Sequence, residues 1–155
     1  MPKITPFLWF DTEAEAAATL YTSLFPNSRI GKTARYSEGM PGPAGSVMTI
    51  EFELDGQKFV GLNGGPIFKF TEAVSFQIDC EDQAELDHYW NGLLAGGGQE
   101  SQCGWLKDRF GVSWQVVPRR MGEWMSNPGT GAKVAAAFMP MKKLDIATLE
   151  AAAAG

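Results

Sequence analysis

Between Ser46 and Leu54 the chain alternates, with Met48, Ile50, Phe52 and Leu54 on one side and Thr49, Glu51 and Glu53 on the other. Successive side chains of a strand point to opposite faces, so this period of two predicts a strand with one buried face. Asp55-Gly56 is a tight-turn pair, and Gln57 to Leu62 reads as the returning strand of a hairpin closed by Asn63-Gly64-Gly65-Pro66. Upstream, Pro6-Phe7-Leu8-Trp9-Phe10 is a continuous apolar run of strand length. Thr12 and Glu15 then have capping-box spacing, and Ala14, Ala17, Leu20 or Tyr21, and Leu24 recur at helical spacing until Pro26-Asn27. A strand near Arg29 to Tyr36 and a loop from Glu38 to Gly45 complete the first half.

The pattern then restarts. Asp11 and Asp79, Glu13 and Glu81, Ala16 and Ala84, and Tyr21 and Tyr89 are identical pairs, each 68 positions apart (79 minus 11). The second copy predicts a strand over Val74 to Ile78 and a helix capped by Asp82 with Glu85. That helix carries Leu86, Tyr89 or Trp90, Leu93 and Leu94, and Gly96-Gly97-Gly98 stops it. Gly56 before Phe59 and Gly111 before Trp114 suggest that the hairpin is repeated too. Identity in the same order of elements indicates duplication. Beyond it, Lys133 to Met139 and Asp145 to Ala154 predict two short helices, the second capped by Asp145, with Val134, Phe138, Met141, Leu144 and Leu149 as apolar points.

Composition narrows the function classes. The 155 residues are 45% hydrophobic, enough to bury a sizeable core. Thirteen Lys and Arg against eighteen Asp and Glu give a net charge of -5, with no basic footprint for nucleic acid. No apolar run approaches the ~20 residues that span a bilayer, and no secretory pattern opens the sequence, so a cytoplasmic, membrane-free protein is expected. Cys80 and Cys103 lack the spacing of a zinc site and read as free thiols. The one histidine, His88, falls mid-helix and reads as solvated; a His-rich metal site or a Ser-His-Asp triad has at most this imidazole to use.

A strand-helix-strand-strand-strand unit used twice resembles the vicinal oxygen chelate superfamily, the glyoxalase and bleomycin-resistance group. The stretches Pro6 to Phe10, Leu62 to Gly65, Cys103-Gly104-Trp105 through Trp114-Gln115, and Lys143 to Leu149 resemble its PhnB-like branch, commonly labelled 3-demethylubiquinone-9 3-methyltransferase. The resemblance implies an α+β fold in which duplicated βαβββ units form a cup-shaped mixed sheet with a C-terminal helical extension. It implies one domain over 1–155, built of units at about 3–63 and 72–120, with helices at about 131–154. It also implies a homodimer.

In metal-using members of that superfamily, the first and last strands of each unit supply ligands. With Leu8, Phe10, Phe76 and Ile78 facing the helices, alternation puts Phe7, Trp9, Ser75 and Gln77 on the other face. The last strands offer Gln115 and, as its expected counterpart, Val60. This set contains neither carboxylate nor imidazole, the ligands a divalent ion needs, so no metal and no other cofactor is expected. Glu51 and Glu53 read as exposed-face carboxylates, and Asp108 as a turn residue. The expected function is binding of a small, neutral or aromatic organic molecule by Phe7, Trp9, Glu51, Asn63, Ser75, Gln77, Cys103, Trp105 and Gln115. The alternative is a divalent-metal isomerase, lyase or dioxygenase using Glu51, Gln77 and Gln115, or a methyltransferase-type enzyme. For the latter no Gly-rich turn leads from a strand into a helix: Asn63-Gly64-Gly65 runs to Pro66 and reads as a linker.

Overall fold

The alternation of the first half becomes a four-stranded mixed sheet. In the computed structural model, which describes residues 2–155, the chain divides into two compact units, Met1–Phe70 and Thr71–Gly155. The first comprises β1 (Phe7–Phe10), α1 (Ala14–Leu24), β2 (Arg29–Arg35), β3 (Val47–Leu54) and β4 (Gln57–Asn63). The sheet order is β1-β4-β3-β2, with β1 parallel to β4 and the other neighbours antiparallel. Leu8, Phe10, Ile50, Phe52 and Leu54 are buried, while Trp9, Thr49, Glu51 and Glu53 are half-buried. From Thr49 to Leu54 the period of two therefore separates the faces as the sequence predicts, whereas Met48 is only half-buried and Val47 is buried, beside the irregular β2–β3 pairing at Arg35.

Helix α1 differs from expectation at its start. It begins at Ala14 after Glu13, and no side chain of its own first turn caps it. The Asn63 Oδ1 atom at the end of β4 accepts from the Ala14 N–H at 2.8 Å instead. Thr12 is thus displaced as a cap by a residue 49 positions beyond Ala14, which the parallel β1–β4 pair carries to the helix start. The buried face is Ala14, Ala17, Ala18 and Tyr21; Leu20 and Leu24 are half-buried. Three small side chains let the helix lie close to β3 and β4, and Tyr21 meets Phe52, whose ring stacks on Phe59 at 5.4 Å between centroids. Such a pair adds about 0.5–1.5 kcal/mol beyond burial alone.

The second unit repeats the order with β5 (Ser75–Cys80), α2 (Gln83–Leu94), β6 (Gln99–Glu100), β7 (Trp105–Lys107) and β8 (Ser113–Pro118), the sheet running β5-β8-β7-β6. Asp82 caps α2 as predicted: its carboxylate accepts from Glu85 N–H, and Glu85 Oε1 accepts from the N–H of Glu81. The duplicated Tyr21 and Tyr89 are both buried, and Ala18 and Leu86, also 68 apart, occupy the same helix face.

The hairpin echo is out of register. Phe7 pairs with Val60 and Trp9 with Leu62, whereas Ser75 pairs with Ser113 and Gln77 with Gln115. Val60 and Ser113 are therefore equivalent, as are Leu62 and Gln115, so the counterpart of Gln115 is Leu62 rather than Val60. Gly111 correspondingly has no equivalence to Gly56. Between the paired positions Glu51 and Val60 lie residues 52–59, but between Lys107 and Ser113 only 108–112. The shorter connection removes the ends of both strands and replaces the two-residue turn by a loop around Asp108.

Three helices follow: α3 (Met121–Ser126), α4 (Pro128–Phe138) and α5 (Ile146–Ala154). The sequence pattern predicts neither α3 nor the first turn of α4. Asn127 caps α4 through Thr130 N–H, with Pro128 at its first turn, where a missing N–H costs nothing. At α5, Asp145 makes no side-chain cap; Gln83 Oε1, on α2, accepts from Ile146 N–H at 2.8 Å. Gln83 Nε2 donates to both Leu144 O and Asp87 Oδ1, so one amide ties the two helices. Leu144, Leu149 and Val134 are fully buried, and Phe138 and Met141 half-buried.

Candidate functional site

Each sheet has one helix-packed face and one face bare of its own unit's helix. In the first unit the bare face carries Phe7, 60% exposed, and the half-buried Trp9, with Glu51 across β4. Trp9 is fixed in place: its indole N–H donates to Gly65 O at 2.9 Å, and Phe68 meets it edge-on at 4.9 Å. Gly64 lies against the same ring, and a Cβ there would come within 2.4 Å of it. The Asn63-Gly64-Gly65 glycines thus have a packing reason beyond linking the units. Glu51 pairs with Lys58 at 3.4 Å and Glu53 with Arg29 at 3.1 Å, and both ion pairs are open to solvent.

Asn63 is committed at both ends, its oxygen to Ala14 N–H and its amide to Val47 O at 3.2 Å. It positions α1. Beside it a cavity of about 600 Å³ is bounded by Asp11, Glu15, Arg35 and Tyr36, and the Tyr36 hydroxyl donates to Asn63 O.

In the second unit the strand register sets two rows on the bare face. Gln77, Gln115 and Trp105 form one row, and Ser75, Ser113 and Lys107 the other. Gln115 Nε2 donates to Ser75 Oγ at 3.0 Å, and Gln77 Nε2 to Asp79 Oδ1 at 2.9 Å. Lys107 is ion-paired with Glu72, and that hydrogen bond, then the charge, hold the Glu72 carboxyl below its ordinary range. Trp105, Lys107, Glu72 and Ser113 share the lining of a cavity of about 300 Å³. Ser113 is 2% exposed, and its hydroxyl has no hydrogen-bond partner among the described residues. Sequence reasoning missed Ser113, because only the β5–β8 register places it beside Ser75.

Cys103 serves the extension instead of a strand face. Its backbone is left-handed (φ 60°), its N–H donates to Met141 O at 2.8 Å and its thiol to Met139 O at 3.8 Å. Gly104 follows at φ +87° and donates to Lys142 O at 2.8 Å; a Cβ there would press on Leu144 and Val116 O at 3.0 Å. Both thiols are free, and burial pushes Cys80 from 9.0 up to about 12, with the Glu85, Asp79 and Asp82 carboxylates adding to the rise. The folded protein is therefore expected to titrate one thiol, Cys103, with a disulfide reagent at pH 8, and two after denaturation. Two fast thiols in the folded state would contradict this. His88 is exposed on α2, with its ring edge-on to Tyr89 at 5.0 Å.

The metal chemistry of the superfamily does not fit these donors. The facing first-strand and last-strand pairs are Phe7 with Val60, Trp9 with Leu62, Ser75 with Ser113, and Gln77 with Gln115. None is charged or an imidazole. Among the described residues no three His, Cys, Asp or Glu side chains come together as a metal cluster.

Residues 2–117 match the sequence model of a family described as 3-demethylubiquinone-9 3-methyltransferase. The chain belongs to that family. A PhnB protein from Bacillus cereus, provisionally given the same 3-demethylubiquinone-9 3-methyltransferase label, is 37% identical; the match covers 75% of this chain and 99% of that one, with a TM-score of 0.68. This chain is thus a PhnB-like member of the 3-demethylubiquinone-9 3-methyltransferase family, and each of its two units has the βαβββ order that the sequence implies. The fold is shared by protein PA1353 of Pseudomonas aeruginosa, at 19% identity over 76% of this chain and 97% of that one, TM-score 0.61. An Arabidopsis thaliana gene product shares it at 18% identity over 76% and 98%, TM-score 0.51. No curated protein matches the sequence significantly. The family match stops before α3, so the three C-terminal helices lie outside it. No helix among the described residues is long and apolar enough to cross a membrane.

Proposed function

We propose that this protein binds a small, neutral or aromatic organic molecule on the bare faces of its sheets, without a firmly held metal. The observation that carries the reading is the donor set on the strand pairs. Where metal chemistry needs carboxylates or imidazoles, the chain has aromatic and aliphatic side chains in one unit and neutral hydroxyls and amides in the other. Phe7 and Trp9 offer ring surface in the first unit, with Glu51 at the margin. In the second unit Trp105 offers ring surface beside Ser75, Gln77 and Gln115. The buried Ser113 hydroxyl, lining a cavity with Trp105, adds a hydrogen-bonding group that the protein itself leaves unused. Lys107 is already neutralised by Glu72, which supports an uncharged ligand over a phosphate. Asn63 holds the start of α1 and Cys103 holds the extension.

Native mass spectrometry and elemental analysis of protein purified without chelators test the reading together. A bound organic mass with well under one equivalent of metal is expected. Gln115→Ala should release that mass while costing only about 1 kcal/mol of stability, the worth of one half-buried hydrogen bond. One equivalent of nickel, zinc, iron or manganese retained through dialysis would overturn the metal-free reading. Full retention of the mass by Gln115→Ala would overturn the assignment of the second-unit face.

A further inference from the structure

On the bare face of the second unit Gln77, Gln115 and Trp105 stand directly opposite one another on β5, β8 and β7. Neighbouring strands lie about 4.8 Å apart, so the two carboxamides are close enough to hydrogen-bond each other. Each is instead drawn to another group: Gln115 Nε2 donates to Ser75 Oγ at 3.0 Å and Gln77 Nε2 to Asp79 Oδ1 at 2.9 Å. Both amides are thereby held in place by one N–H. Each keeps its carbonyl oxygen and a second N–H without a partner among the described residues. These free groups are open to a ligand. Gln77 is exposed, and the side-chain polar atoms found both buried and unpaired among the described residues are Ser113 Oγ and Trp124 Nε1, so solvent reaches the unpaired Gln115 oxygen.

A primary amide with its oxygen and one N–H free matches a planar edge that sets a donor beside an acceptor, the geometry by which glutamine takes the edge of a nucleobase. Two such amides side by side fix the plane of what they hold, and Trp105 next to them offers ring surface. Charge narrows the class further. Asp79, two residues on from Gln77, stands on the same face and repels anions, while Lys107 is already paired with Glu72.

We infer that this face binds an uncharged planar nitrogen heterocycle through a lactam edge, a ring N–H beside a ring carbonyl. The ring N–H donates to a glutamine Oε1, the ring carbonyl accepts from a glutamine Nε2, and Trp105 covers the ring. This rests on the reading of the second-unit face proposed above and names the chemistry of its ligand.

Calorimetric titration of the full chain with uracil and 2-pyridone, each beside its fully N-methylated form, tests the edge. Saturable binding of at least one lactam is expected, about tenfold or more tighter than its methylated form. Gln77→Met and Gln115→Met, which keep the side-chain length and remove the amide, should each weaken the lactam by about tenfold and leave the methylated form unchanged. Trp105→Leu should weaken both. Gln77 is exposed, so if Gln115→Met does not fold, Gln77→Met decides alone. Methylated forms that bind as tightly as the lactams, and are lost with them in Trp105→Leu, would overturn the lactam edge while leaving the aromatic face standing. No saturable heat with either lactam, or full lactam affinity in Gln77→Met, would overturn the proposal outright, while the co-purified mass and its metal content decide the broader reading separately.

Discussion

Replacing Asp108 by alanine is expected to destabilise the protein by about 3–5 kcal/mol, measured by urea unfolding, the largest effect of any substitution considered. Asp108 is 3% exposed. One carboxylate oxygen accepts from the N–H groups of Phe110 and Val112 at 2.9 and 3.1 Å, and the other from the buried Trp114 indole at 2.9 Å. Alanine removes the acceptor of three donors, two of them buried and the Phe110 N–H part-buried. Asparagine keeps one oxygen but turns an amide N–H toward the Trp114 N–H, so Asp108→Asn should cost about half as much. Trp114→Phe removes that opposing donor. In a double-mutant cycle Asp108→Asn and Trp114→Phe should therefore couple by about 1 kcal/mol or more, with the second change partly relieving the first. Strict additivity would show that the indole bond is not what holds the carboxylate.

Leu144→Ala should cost about 3 kcal/mol and loosen the extension before the rest of the chain. Leu144 is fully buried over Gly104, whose missing side chain makes room for it. Around it, Cys103 and Gly104 are hydrogen-bonded to Met141 and Lys142, and Gln83 to Leu144 and Ile146. Removing the leucine empties the centre of this ring of contacts and leaves its polar bonds exposed to water. Limited proteolysis should then cut first between Pro118 and Leu144, while the wild-type protein resists. Equal cleavage rates in both would show that the extension is held elsewhere.

Local rules made much of this fold legible. The β3–β4 hairpin follows from alternation around Asp55-Gly56, and α2 from Asp82 with Glu85, because both signals act over a few residues. The faces of β1 and β5 followed from period two alone. What was not legible depends on distant pairing. Thr12 and Asp145 had the right chemistry for caps, yet Asn63 and Gln83 took those places because the tertiary fold brought them there. The register of β8 was misjudged by two residues because the shorter loop at Asp108 does not announce its length as a gap in a single chain. The start of α4 did carry a signal, Asn127 followed by Pro128, whose cap-then-proline order marks a helix start. For the candidate sites, residue types and faces were legible, as with Trp9, Gln77 and Gln115. The unused hydroxyl of Ser113 was not, since a missing partner is visible only once every neighbour is in place.

The borrowed caps bear on the order in which the chain acquires its structure. A helix whose first turn is sealed by its own serine or aspartate can flicker into existence before anything else has formed. Helix α1 has no such device; its Ala14 N–H waits for Asn63, which arrives only when β4 has closed alongside β1. The same holds for α5 and Gln83, 63 residues upstream. Closing chain segments of this length before any reward is collected slows the search for the native state. Each such helix thus forms as a late, all-or-none consequence of correct strand or helix pairing, and a mispaired chain is left without the helices that would otherwise lock the error in.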